Sequence, residues 1–272
     1  PNETIWIADG DVFAKIGDSP FLVQRKPEHI QRSLWQRVSD SDAVPTDEDA
    51  MLSRWRGPPW TVHPDDGWTF AKRTWVCSTS DPSELVWDHN RIQIDDWLPY
   101  NMQSPRKVQQ IPVSDIRVAA TITPETANLA TTFTLEAIGH RFTWMLADGK
   151  VTLQMLPVEG EERRVEVMID TFTAGSPTRV EFWHVDQMLA MYINNQRVAE
   201  LFYDYGPEKR LRLVTRVDQD VPIEEIAGLG GFPPKLSWHF AHTSFSLSRV
   251  SVDHDLYYRS DRRITSRATI NP

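Results

Sequence analysis

The sequence is poor in cysteine, in long apolar runs, in clustered basic charge and in helical periodicity, and each shortage excludes something. One cysteine, Cys77, in 272 residues rules out an intramolecular disulfide framework and any zinc site built from several thiolates. It is silent on compartment, because a cysteine-poor chain suits either side of a membrane. No stretch approaches the roughly 18 consecutive apolar residues of a spanning helix, and no basic, apolar, small-residue leader opens the chain. Against 38 Asp and Glu stand 29 Lys and Arg, a formal net charge of -9. The basic residues never gather into a surface that could track phosphates, so no nucleic-acid partner is expected. There is no Gly-x-Ser-x-Gly elbow, no phosphate-cradling glycine loop and no His-Glu-x-x-His pair. No cofactor is expected.

What is abundant is apolar residues recurring every second position. Ile116, Val118, Ala120 and Ile122 alternate with polar or small residues, as do Phe133, Leu135 and Ala137, then Phe142, Trp144 and Leu146. The pattern returns at Val151 to Met155, Val165 to Ile169, and Phe245 to Val252. Each run has one face to bury and one to wet, which predicts antiparallel strands in two layers. Asp148-Gly149 and Asn194-Asn195 supply residues that tolerate positive φ between such runs, so both read as hairpin turns. With Asp186-Gln187 as a third turn, Val180 to Phe202 reads as a three-strand meander. Helix is expected only at Pro27–Val38, where Ile30, Leu34 and Val38 recur behind a proline, at Asp47–Arg54 behind Thr46, and in one turn at Pro222–Ala227.

The fold class is therefore mainly β, an antiparallel two-sheet sandwich with a small strand-and-helix N-terminal lead-in. We place the lead-in at residues 1–60, the sandwich at 61–256 and a return segment at 257–272. The chain opens on Pro1 rather than methionine and reaches a strand-like stretch at once, which predicts a piece of a longer protein.

Three constellations bear chemistry. Trp55, Trp60 and Trp68, beside Asp65 and Asp66 in the proline- and glycine-rich stretch 54–68, suit a sugar-stacking platform, since flat rings offer apolar area and carboxylates take hydroxyl hydrogen bonds. Trp75, Trp87 and Trp97 extend this candidate platform, and the competing role for the whole set, expected at Trp75 and Trp97, is to pin loops onto the sandwich edge. Glu181, His184 and Asp186 share one strand, with His184 and Asp186 on one face, which amounts to half a metal site. A histidine held by a cross-strand partner and an aspartate opening a turn explain them more simply, because a metal needs further ligands. Glu136, Glu166 and Glu181 are candidate glycosidase carboxylates by facing sense alone. No metal-binding residues are assigned.

Val180-Glu181-Phe182-Trp183-His184-Val185-Asp186, followed by Leu189–Ile193 and Asn194–Val198, resembles the back-sheet meander of concanavalin-like and laminin-G-like jelly rolls. That architecture implies a lectin, a hydrolase or an interaction module alike. Its hydrolytic members carry Glu-x-Asp-x-x-Glu on one strand, and no glutamate here is followed two residues later by aspartate. A second resemblance covers Trp6–Phe13, Arg25–Val38, Ile94–Asn101 and Asp255–Tyr258. These are similar to enlarged signal peptidases of the planctomycete type, which carry an extracytoplasmic insertion. The family's Ser-Met-x-Pro nucleophile motif is absent, its Lys-Arg box is expected before Pro1 and its last box after Pro272, and Gly17-Asp18-Ser19-Pro20 matches that last box too poorly to carry a role. A serine without an adjacent base is inert, so no catalytic residue is assigned. The resemblance implies a non-catalytic extracytoplasmic domain that binds or positions a preprotein, a glycan or a subunit, reaching the membrane only through an anchor in the parent protein. The alternative is a free-standing carbohydrate-binding module.

Overall fold

The computed structural model describes residues 3–44, 57–96, 111–170, 172–218, 220–226, 231–258 and 268–270. Two antiparallel sheets face each other. One has eight strands: β18 (Gln196–Phe202), β17 (Met188–Ile193), β16 (Thr178–Val185), β11 (Ile116–Pro124), β20 (Phe245–His254), β7 (Thr74–Cys77) and β6 (Trp68–Ala71) in that order, with β4 (Gln36–Asp40) pairing the far end of β20. The other has seven: β15 (Arg163–Met168), β14 (Lys150–Leu156), β13 (His140–Ala147), β12 (Ala130–Ala137), β19 (Lys235–Ala241), β8 (Ser83–Trp87) and β5 (Trp60–His63). A separate four-stranded sheet sets β21 (Ala268–Ile270), β1 (Glu3–Ala8), β2 (Asp11–Ile16) and β3 (Leu22–Val23) side by side, and β9 (Asp95–Asp96) pairs β10 (Ile111–Pro112).

The period-two runs meet between the large sheets. Val118, Ile122, Phe142, Leu153, Val180, Phe182 and Leu247 are all at most 1 % exposed. Phe133 stacks on Phe182 at 5.0 Å across the gap, and Trp238 meets Phe182 edge-on at 5.2 Å. Trp144 is also buried because its indole N–H donates to the Ala190 carbonyl of the facing sheet at 3.0 Å. The hairpins turn where expected: Asp148 and Gly149 have φ of 51° and 69°, Asn194 and Asn195 of 49° and 66°, and Asp186 and Gln187 of 47° and 59°.

The helices depart from the periodicity. α1 runs Glu28–Leu34 and gives way to β4, because pairing of Gln36 to Asp40 with β20 overrides the i, i+4 pattern. Ile30 is 41 % exposed and Gln31 is the residue α1 buries, so Ile30, Leu34 and Val38 are not one apolar face. α2, Pro207–Thr215, has no counterpart in the sequence expectations. Its signals are Pro207 at the first helical position and Glu208 paired to Arg212 one turn on, at 3.0 Å. α3 is the turn Ile223–Ile226. The helix expected at Asp47–Arg54 lies outside the described residues. Leu211 of α2 and Ile226 of α3 pack on Trp6, Ala8, Phe13 and Val23, giving the small sheet its own core.

Candidate functional site

Strand register places a charged and aromatic array on the outer face of the eight-stranded sheet. In β16, Val180 and Phe182 point inward, so Arg179, Glu181 and Trp183 point out. Trp183 sits opposite Ala190 of β17 and Arg117 of β11, Arg117 opposite Asp253 of β20, and Asp253 opposite Arg37 of β4. The next row is Tyr192, Glu181, Ala119, Ser251 and Asp40, and the row after it holds Arg179, Thr121 and Ser248.

α1 covers part of this face. Trp35 meets Trp183 edge-on at 5.2 Å, and the Arg32 guanidinium lies 4.8 Å from the Trp183 ring and 4.6 Å from the Tyr192 ring. Asp253, 1 % exposed, takes Arg117 at 3.0 Å and Arg37 at 2.5 Å. Glu181 accepts from the Trp183 indole N–H at 2.9 Å and pairs with Arg32 at 3.4 Å. Beyond the helix the balance changes. Arg179 donates to the Arg249 carbonyl at 2.9 Å, and among the described residues neither arginine has a carboxylate in ion-pair reach. Burial, joined by the charges of Arg117, Arg37 and Arg249, outweighs the pull of Glu181 and lowers Arg179 from the usual arginine range.

A second cluster is buried where the small sheet, α2 and the end of the sandwich meet. Arg210 of α2 is fully buried and reaches Asp9 at 2.9 Å, Ser114 at 3.0 Å, and Asp115 and Asp11 each at 3.4 Å. Lys26 bridges Asp186 at 2.6 Å and Asp255 at 2.9 Å, and Gln31 donates to Asp255 at 2.8 Å. Burial raises Asp9 to about 6 against the pull of Arg210, and pushes Asp11, Asp186 and Asp255 upward. Asp115 is buried too, but Arg210 and the Asp186 backbone N–H hold it low.

His184 ties this cluster to the core. Its Nδ1 contacts the Ser114 carbonyl at 2.8 Å, which cannot donate, so Nδ1 carries the proton and Nε2 accepts from the Tyr203 hydroxyl at 2.7 Å. Burial lowers its pKa to about 4 and keeps the ring neutral. His140 behaves alike: its Nδ1 accepts from the Val158 N–H at 3.2 Å, and burial, with the charges of Arg210 and Lys209, lowers it to about 4. A histidine that gains its proton near pH 6.5 when unfolded but near 4 when folded stabilises the fold above pH 6.5, and that contribution is lost as pH falls toward 4. Asp9 has the opposite sign, losing stability as pH rises from about 4 to 6. The ring signals are therefore a cleaner readout than melting curves. His140 resonances in an NMR titration should stay unprotonated to about pH 5, and a midpoint near 6.5 would show an open ring.

The expected platform residues are placed otherwise. Trp60 and Trp68 are 3 % and 7 % exposed; Trp60 packs edge-on against Trp87 at 5.1 Å, and Trp68 against Trp75, Phe240 and Phe245. Stacking on a sugar needs an open ring face, and the sandwich core takes these two. Asp65 and Asp66 are exposed in the connection from β5 to β6, and Trp55 and Trp97 lie outside the described residues. Glu136 pairs with Arg141, and Glu166 with Lys150 and Arg164, both on the seven-stranded sheet. They stand apart from Glu181, so the three do not form one carboxylate pair. Sequence reasoning missed Arg210, Asp115 and Lys26 because their partners are distant in the chain; it also did not single out Arg117 or Arg179, although Arg117 lies between the alternating apolar positions Ile116 and Val118.

No family model matches the chain, and no curated protein matches it, so the signal-peptidase resemblance has no support beyond its short motifs. Solved structures do share the strand arrangement in part. The endo-beta-1,3-glucanase from Pyrococcus furiosus is 8 % identical, with 82 % of this chain and 95 % of that one covered at a TM-score of 0.46. The carbohydrate binding module CBM66 from Bacillus subtilis is 8 % identical, over 73 % and 97 %, at 0.41. Sheep galectin-11 is 12 % identical, over 52 % and 92 %, at 0.31. Likenesses this distant leave the ligand of this mainly β two-sheet sandwich to its own residues.

Proposed function

We infer that the chain is a non-catalytic carbohydrate-binding module that takes an acidic glycan on the outer face of its eight-stranded sheet. The observation that carries this is the adjacent Arg179 and Arg249, which among the described residues have no carboxylate in ion-pair reach, on a chain of net charge -9. Guanidinium groups bind carboxylate and sulfate oxygens in a planar fork, so an anionic sugar supplies the charge the face lacks. Thr121 and Ser248 offer hydroxyls in the same row, and Trp35, partly exposed near Arg117, offers an aromatic edge for a sugar ring. A non-catalytic role accords with Glu181, whose carboxylate is engaged by Trp183 and Arg32.

An array of neutral, uronate-bearing and sulfated oligosaccharides tests this. The wild-type chain should prefer the acidic members, lose affinity as salt rises, and bind at least about tenfold more weakly after Arg179→Gln, in line with the loss of one charge-assisted contact. A preference for neutral sugars, or binding unchanged in that variant, would overturn the assignment.

A further inference from the structure

The buried cluster raises a question separate from the glycan face. Asp11, Asp115 and Asp186 come from the start of β2, the residue before β11 and the turn between β16 and β17. Folding brings one carboxylate oxygen of each within 4.8 Å of the other two, and the three residues are 2 %, 7 % and 4 % exposed. Asp9 and Asp255 join them, so five carboxylates face two cations, Arg210 and Lys26. His184 and Tyr203 add no charge, because the His184 Nδ1 donates to the Ser114 carbonyl and its Nε2 accepts from the Tyr203 hydroxyl. Charge in such surroundings is normally matched closely, since unpaired buried ions are costly.

One atom carries the argument further. Oδ2 of Asp11 is buried and, among the described residues, accepts no hydrogen bond. Its charge contact, Arg210 Nη1 at 3.4 Å, is long, and that Nη1 has no hydrogen-bond acceptor either. Buried carboxylate oxygens ordinarily have partners, and this one is aimed into a cluster with excess negative charge.

The geometry points to a divalent-cation site formed by Asp11, Asp115 and Asp186, for a hard cation of the calcium or magnesium class. Calcium sits about 2.3 to 2.6 Å from carboxylate oxygens, so it can bridge oxygens up to about 5 Å apart, which covers the spacing here. A donor set of oxygens alone, with no thiolate and a neutral imidazole already bonded on both nitrogens, disfavours zinc and copper. A small cleft whose lining includes Asp9, Ser114 and Asp115 adjoins the cluster. A cation held there ties the small sheet, through β2, to β11 and the β16–β17 turn of the sandwich. The site therefore acts as a clamp between the two cores.

The full chain, stripped with EDTA, is titrated with calcium chloride and separately with magnesium chloride, followed by calorimetry and thermal melting. One cation per chain should bind and raise the melting temperature. Asp11→Asn keeps the side chain's shape and removes one charge. It should weaken binding at least about tenfold while melting higher than the stripped wild type, because excess negative charge is relieved. Should that variant not fold, terbium luminescence of the wild-type chain, displaced by calcium, reports the same site without a substitution. Absence of saturable binding in the wild type, or an unchanged affinity in Asp11→Asn, overturns the proposal. So does a chain stabilised by acid yet indifferent to both cations, since protons alone would then neutralise the cluster.

Discussion

Replacing Arg210 by alanine is expected to destabilise the chain by about 3 to 5 kcal/mol at pH 7, the range for breaking a buried ion network from one side. The guanidinium is fully buried and is the cation shared by Asp9, Asp11 and Asp115. Its loss strands three largely buried carboxylates without their shared counter-charge. Asp9 and Asp11 already have raised pKa values, so they can take up protons in the variant. The deficit should therefore shrink at pH 5. Urea unfolding at both pH values measures it, and a loss below about 1 kcal/mol at pH 7, the scale of an exposed ion pair, would mean that Arg210 is not the group that neutralises the cluster.

Trp60→Ala should cost about 3 to 5 kcal/mol as well, by a different route. Here the loss comes from an indole that is 3 % exposed, set edge-on against Trp87 and opposite it in the β5–β8 register. Truncation leaves a cavity at the edge of the seven-stranded sheet. Glycan binding at the opposite sheet should be unchanged in whatever fraction remains folded. A melting temperature within a degree of wild type, together with weakened binding, would restore Trp60 to the ligand surface.

The contrast between those two residues shows how much of the molecule was legible in the sequence. Trp60 stands in a stretch rich in proline and glycine, which reads as a loop, yet its neighbours Thr61 to His63 form an edge strand on β8. Pairing with a strand about 25 residues away decides its burial, and no local pattern announces that. The sandwich itself was legible because alternation from Ile116 to Val252 constrains each strand to one buried face, and turn residues such as Asp148-Gly149 set where each strand ends. His184 and Asp186 were legible as neighbours of one face. Their partners were not: Asp115 lies some 70 residues away in sequence, and Arg210 sits in a helix that the scarcity of helical periodicity hid. α1 misled in another way. Its apolar spacing at Ile30 and Leu34 is that of an amphipathic helix, but the residues it presents to the sheet are Gln31, Arg32 and Trp35, polar or at its very end.

Mapping a ligand by NMR tests the glycan face of the eight-stranded sheet most directly. With a hexuronate oligosaccharide added to the isotope-labelled chain, amide shifts should concentrate at Thr121, Arg179, Ser248 and Arg249 and fade with added salt. Shifts confined to the Asp65–Trp68 connection, or none at millimolar ligand, would contradict it.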